Sequence, residues 1–180
     1  VRSGRYILGP EVEAFEAEFA AYCEAKHCIG VSSGTDALIL ALRALGVKAG
    51  DEVITVPNTF TATAEAIVLV GAKVVFCDVD QRTKNMDPEK LAKVVTKRTR
   101  AVIPVHLHGN PCDMDAIFSL TKPRGIAVVE DAAQAHGAVY KRKKIGSLAS
   151  DATCFSFHPV KNLGAYVDAG AIVTNFDTLA

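Results

Sequence analysis

Several residues, each placed just after a short apolar run, could do chemistry together. Lys161 stands in the stretch Phe155-Ser156-Phe157-His158-Pro159-Val160-Lys161-Asn162-Leu163-Gly164, where the neighbours are apolar or small. Burial disfavours an ammonium, so a lysine in such a stretch either snorkels to water or serves as a neutral amine nucleophile. Glu130 and Asp131 follow the apolar run 126–129. An acidic pair there needs a cationic partner, or else Asp131 caps a helix. Ser32-Ser33-Gly34-Thr35-Asp36 follows the run 28–31 and opens a helical pattern. Small residues, hydroxyls and the free amides of a helix start make an anion cradle, and they also make a plain N-cap. Phe60, in Pro57-Asn58-Thr59-Phe60-Thr61, is either a stacking face for a planar ligand or ordinary core.

Taken jointly, these parts fit pyridoxal 5′-phosphate. That cofactor needs an anion site for its phosphate, a surface against its ring and a carboxylate that keeps its pyridine nitrogen protonated. It also needs a lysine to hold its aldehyde as a Schiff base. His106 and His108 could begin a metal site, but no third ligand accompanies them, so no metal is expected.

The elements that must position these residues can be read from periodicity. Short β-branched runs at 28–31, 53–56, 74–76, 101–105, 126–129, 153–157 and 171–174 predict strands. Helical patterns lie between most of them: 11–25 with Val12, Phe15, Phe19 and Tyr22 on one face, 35–45 ending at Gly46, 61–70 ending at Gly71, one opening at Asp87-Pro88-Glu89, and 113–120 capped by Asp113. Strands alternating with helices predict an α/β fold with a mostly parallel sheet covered on both faces. In such sheets ligands sit beyond the carboxyl ends of the strands, where the residues above lie.

Bulk composition bounds the rest. The chain has 180 residues, 49 % of them apolar and 22 % charged, enough for one domain with a core. Twenty basic residues balance twenty acidic ones, which removes the global electrostatic case for nucleic acid or an anionic membrane. Lys141-Arg142-Lys143-Lys144 is expected as a solvated turn. Cys23, Cys28, Cys77, Cys112 and Cys154 are odd in number and lack zinc-ligand spacing, so they are expected as reduced thiols of a cytoplasmic protein. No apolar stretch is long enough to span a bilayer. A nicotinamide-dependent dehydrogenase is disfavoured, because the first strand leads into Ser-Ser-Gly-Thr-Asp and not into Gly-x-Gly-x-x-Gly.

The motifs themselves carry a resemblance. Gly4-Arg5-Tyr6-Ile7-Leu8-Gly9-Pro10-Glu11, Ser33-Gly34-Thr35-Asp36-Ala37-Leu38, Gly50-Asp51-Glu52-Val53-Ile54, Thr59-Phe60, residues 130–137 and residues 156–162 resemble the DegT/DnrJ/StrS nucleotide-sugar aminotransferases, of the aspartate-aminotransferase fold type I. The resemblance implies a three-layer α/β/α fold with a seven-stranded sheet. It implies that residues 1–180 are the pyridoxal-phosphate-binding large domain, without a leading segment and a small C-terminal domain. Lys161 would be the Schiff-base lysine and proton shuttle, Asp131 the partner of the pyridine nitrogen, and Gln134 a neighbour of the phenolic oxygen. Phe60 would stack on the ring, while Gly34, Thr35, the Asp36 backbone and Ser156 would hold the phosphate. The reaction implied moves an amino group from glutamate or glutamine to a keto group of a nucleotide-linked deoxysugar, in a homodimer with shared sites. Members usually read Gly-Ala-Tyr-Gly-Asp where this chain has Gly164-Ala165-Tyr166-Val167-Asp168. A strained Val167 would point instead to an inactive fragment or regulatory binding module.

Overall fold

The computed structural model describes Gly4 and residues 7–180; Arg5 and Tyr6 of the first motif lie outside the described residues. In chain order the elements are α1 (Pro10–Cys23), β1 (His27–Val31), α2 (Gly34–Ala44), β2 (Glu52–Thr55), α3 (Thr61–Leu69), β3 (Lys73–Phe76), α4 (Pro88–Val94), β4 (Thr99–Val102), α5 (Met114–Thr121), β5 (Ala127–Asp131), β6 (Val139–Tyr140), β7 (Lys143–Lys144), β8 (Ala152–Ser156) and β9 (Gly170–Thr174).

Seven strands form one sheet in the order β1-β9-β8-β5-β4-β2-β3. The pairs β8–β5, β5–β4, β4–β2 and β2–β3 are parallel, and β9 is antiparallel to both neighbours. The fold is thus α/β with a mostly parallel sheet. Central strands are covered on both faces, which is why β2, β8 and β9 are buried throughout, their polar residues included. One face packs Phe19 and Ala20 of α1, Leu91 of α4, and Met114 and Ile117 of α5 against Ile54, Val128 and Phe155. The other packs Ala37, Leu38, Ala41 and Leu42 of α2 and Ala66 and Ile67 of α3 against Val53, Val129 and Ile172. Small alanines on α2 and α3 let these helices lie close to the sheet.

Helix starts follow the sequence signals. Pro10 opens α1, the Asp87 side chain accepts from the amides of Glu89 and Lys90, and Asp113 accepts from Ala116. Gly46 and Gly71 adopt φ of 73° and 84° after α2 and α3. The α1 face differs from expectation: Phe19, Ala20 and Cys23 are its buried residues, and Tyr22 is exposed with Lys144 Nζ over its ring. The basic run also gains structure, because β6 and β7 form a hairpin with Lys141 and Arg142 at φ of 46° and 71°, the left-handed pair of a tight primed turn. Lys141 there pairs with Asp115. The five cysteines are free and buried, and burial pushes the Cys23 and Cys28 thiols up to about 12.

Candidate functional site

The strand ends converge on a cavity of about 440 Å³ lined by Ser33, Gly34, Thr35, Thr59, Phe60, Thr63, Asp131, Gln134, Ser156 and Lys161, among others. Of the residues the resemblance assigns to the cofactor, all but Asp36 share this cavity.

Its floor is set by β5 and β8. Both acidic residues lie inside β5 and are buried, so Asp131 does not cap a helix as one reading had it. Each carboxylate is satisfied separately, because successive residues of a strand point to opposite faces. Glu130 accepts from His106 Nε2 at 2.7 Å, from Thr153 Oγ1 at 2.8 Å and from Ser150 Oγ. The Cys112 amide donates to His106 Nδ1, which fixes the ring proton on Nε2. His106 is thus a structural partner of Glu130, and no cluster among the described residues could hold a metal. His108 lies elsewhere, at φ 55° in a short turn. Asp131 faces the cavity: its Oδ2 accepts from Thr63 Oγ1 at 2.7 Å and its Oδ1 from the Ala133 amide at 3.1 Å.

The anion end is built by the start of α2. Ser33 Oγ accepts from the Asp36 amide at 3.0 Å, so the N-cap reading describes this turn. That bond occupies the Asp36 N–H, and its carboxylate takes the Ser32 hydroxyl. Gly34 and Thr35 sit in the first turn, where amides have no acceptor within the helix. A cap and a cradle are compatible, because the cap satisfies only one of the four orphan amides. Ser156, at the end of β8, lies against this turn. A Cβ on Gly34 would come within 2.6 Å of Ser156 Cβ, and one on Gly170 within 2.2 Å of the Ser33 carbonyl oxygen. Only glycines allow this approach. Asp131 is in register with Cys154 on the neighbouring strand, two residues short of Ser156. Strand geometry puts the carboxylate residue about 8 Å from the Ser156 end.

Lys161 hangs in the loop between β8 and β9. The loop is tied by hydrogen bonds from the amides of Phe157 to Ala169 O, Ala165 to Phe157 O and Lys161 to His158 O. Its apolar sequence neighbours do not enclose it: Phe155 and Phe157 pack edge-on against Phe19, beside His136, whose burial pushes its pKa down and keeps it neutral. Lys161 reaches the cavity instead, where Phe60 and Val160 share the lining. Phe60 is 71 % exposed, so the core reading fails and its ring is available to a ligand. Gln134 Oε1 accepts from the His108 amide at 2.7 Å, which turns the side-chain N–H groups free for another acceptor. Val167 is 81 % exposed and lies outside the left-handed region, so the loop is unstrained there and that motive for an inactive chain is gone.

Thr63 carries no signal in the sequence, and Thr59 entered only as part of the Thr59-Phe60 motif, without a role. A hydroxyl in the first turn of a helix is usually read as a cap or as solvent-facing, and only the fold brings Thr63 to Asp131. Anion donors at one end, a carboxylate at the other, a lysine and an aromatic face together fit pyridoxal phosphate. The glycine contacts support this, since the missing side chain at Gly34 lets the α2 turn and Ser156, both lining the cavity, approach closely.

The chain is 52 % identical over 178 residues to the dTDP-3-amino-3,4,6-trideoxy-alpha-D-glucose transaminase of Streptomyces venezuelae, covering 99 % of this chain and 47 % of that protein. The crystal structure of S. venezuelae DesV in complex with a ketimine intermediate matches with a TM-score of 0.97 at 52 % identity, over 99 % of this chain and 48 % of that one. A sugar aminotransferase of Streptococcus pneumoniae, Spr1654, in its PLP-form matches with a TM-score of 0.93 at 34 % identity, over 99 % and 49 % of the two chains. The chain spans about half the length of the curated relatives it matches. The family model matches residues 1–180 throughout, and the chain belongs to the DegT/DnrJ/EryC1/StrS aminotransferase family.

Proposed function

We propose that the protein is a pyridoxal-phosphate-dependent aminotransferase acting on a nucleotide-linked keto sugar, with glutamate or glutamine as amino donor. The observation that carries this reading is the convergence of Lys161, Asp131, Phe60, Gln134, Ser156 and the Gly34-Thr35 turn on one cavity. The relatives' named activity on a dTDP-linked sugar supports the substrate class.

Bound pyridoxal phosphate supplies an electron-accepting ring that stabilises negative charge at the reacting carbon. The chain's own residues do the rest. The Lys161 amine would hold the cofactor through its aldehyde and would take and return the proton at the donor's amine-bearing carbon. Asp131 offers a carboxylate to the ring nitrogen. The freed amide of Gln134 donates beside the ring, and Phe60 covers one face and excludes water from it. The Gly34 and Thr35 amides and the Ser156 hydroxyl hold the phosphate, with the helix dipole adding to their pull. The Asp36 amide, taken up by Ser33 Oγ, shapes this turn. A homodimer with shared sites and a cytoplasmic location complete the reading. No helix among the described residues is long and apolar enough to cross a membrane.

The test is borohydride reduction of the protein saturated with pyridoxal phosphate, followed by peptide mass mapping. A reduced adduct on Lys161, absent from Lys161→Ala, and amino transfer from glutamate to a dTDP- or UDP-linked keto sugar are expected. An adduct on another lysine, or no cofactor uptake by folded protein, overturns the assignment.

A further inference from the structure

Among the described residues, Asp131 is the one carboxylate in the cavity lining that is buried, and the way it is held has a direction. Thr63 Oγ1 lies 2.7 Å from Asp131 Oδ2, and Thr59 Oγ1 lies 2.7 Å from Thr63 Oγ1. A carboxylate only accepts, so the Thr63 hydroxyl must donate to Asp131. The Thr63 oxygen is then left to accept, and Thr59 must be the donor. The chain therefore runs one way, Thr59 to Thr63 to Asp131, and each bond polarises the next. The second oxygen, Oδ1, is fixed by the Ala133 amide at 3.1 Å. Two donors from different elements, α3 and the turn after β5, pin both oxygens and so fix the plane of the carboxyl group.

The backbone explains why a threonine can do this. Phe60 is the N-cap of α3 but makes no side-chain cap bond, and the Thr63 amide bonds to the Phe60 carbonyl at 3.2 Å. The Thr63 hydroxyl is thus released from capping and turned inward, where the residue is fully buried. Thr59, four residues back and half-buried, lines the cavity itself. The β-branched side chain restricts χ1, so this aim is held at low entropic cost.

We propose that Thr63, backed by Thr59, is a positioning residue that sets the plane and charge distribution of the Asp131 carboxylate for a cationic ring nitrogen. The proposal rests on the reading of the cavity as a pyridoxal phosphate site. It predicts selectivity for the nitrogen rather than for the rest of the cofactor.

The experiment measures binding of two probes to the folded protein, pyridoxal 5′-phosphate and its 1-deaza analogue, which has carbon in place of the ring nitrogen. Thr63→Val is nearly isosteric and removes the donor to Asp131 together with the acceptor of the Thr59 hydroxyl. It should weaken pyridoxal phosphate about 10- to 100-fold, the equivalent of one hydrogen bond to a charged group. The deaza analogue should change less than about threefold, since no charge depends on Asp131 there. Thr63→Ser should restore selectivity for the nitrogen. Thr59→Val should move binding in the same direction by a smaller factor, and it carries the test if Thr63→Val does not fold. Equal weakening of both probes, or no change in either, overturns the positioning role while leaving the cofactor site standing. Failure of the parent protein to bind either probe overturns the site and the positioning role with it.

Discussion

Gly34→Ala is the sharpest perturbation of the site, because it adds one methyl at a known place. The new Cβ would lie 2.6 Å from Ser156 Cβ and 3.1 Å from Ser156 Cα and Oγ, where ordinary contact begins at 3.4 Å. Ser156 is the last residue of a buried central strand and cannot retreat, so the first turn of α2 must back away by about 1 Å. Overpacking of this kind costs about 1–3 kcal/mol. For a chain of this size that lowers Tm by roughly 2–10 °C. The same retreat draws the Gly34 and Thr35 amides off a bound phosphate. A hydrogen bond to a charged group is worth about 1.5–3 kcal/mol, so losing one weakens pyridoxal phosphate about 10- to 100-fold. Inorganic phosphate, which has only the anion end to bind, should lose a comparable factor. The assay is a spectroscopic titration with each ligand beside a thermal melt without ligand. Affinities within twofold of the parent, with Tm unmoved, would refute both the rigidity of Ser156 and the assignment of this turn as the anion site.

Two further outcomes follow from the carboxylates away from the cavity. Glu130→Ala leaves the His106 N–H and the Thr153 and Ser150 hydroxyls without their acceptor in a fully buried place, and should cost about 3–5 kcal/mol in urea denaturation; a loss below about 1 kcal/mol would contradict the network as drawn. The Thr96 hydroxyl and the Arg98 guanidinium hold Glu52 below its ordinary value of 4.5. A depressed carboxylate stabilises the fold above its unfolded pKa, so this contribution is complete above about pH 4.5 and disappears as pH falls below it. Melts of Glu52→Gln should therefore lose less stability between pH 6 and pH 3 than melts of the parent, and an equal loss would count against the assignment.

How far the chain could be read in advance depended on whether a signal was local. Caps and stops are local, so Pro10, Asp87, Asp113, Gly46 and Gly71 mark their helices correctly. The seven sheet strands were legible because each is a β-branched apolar run. The hairpin at residues 139–144 was not, because a pair of two-residue strands rich in lysine carries no period to detect. The acidic pair misled for a related reason. Nothing near Glu130 in sequence announces that His106, Ser150 and Thr153 will meet it, so a strand that runs on through two carboxylates looked as if it had ended. Within the cavity, residues carrying a distinctive type were legible, namely Lys161, Asp131, Gln134, Phe60, Ser156, Gly34 and Thr35. Thr63 was not, since its meaning depends on a partner 68 residues away.

The reversed strand β9 has a consequence for the order in which the molecule assembles. It pairs with β1 from His27 with Thr174 to Val31 with Gly170, joining segments far apart in sequence. It also sits between β1 and β8, so the strand carrying Ser33 at its exit cannot join the sheet before residues 170–174 are in place. The anion cradle therefore cannot be complete before this long-range pairing is made, however early the Ser33-Gly34-Thr35 turn begins to coil. Closing so long a loop is entropically expensive and slow, so a ligand that needs the completed cradle must wait for this pairing. Until then β1 and β8 both present open edges to other chains.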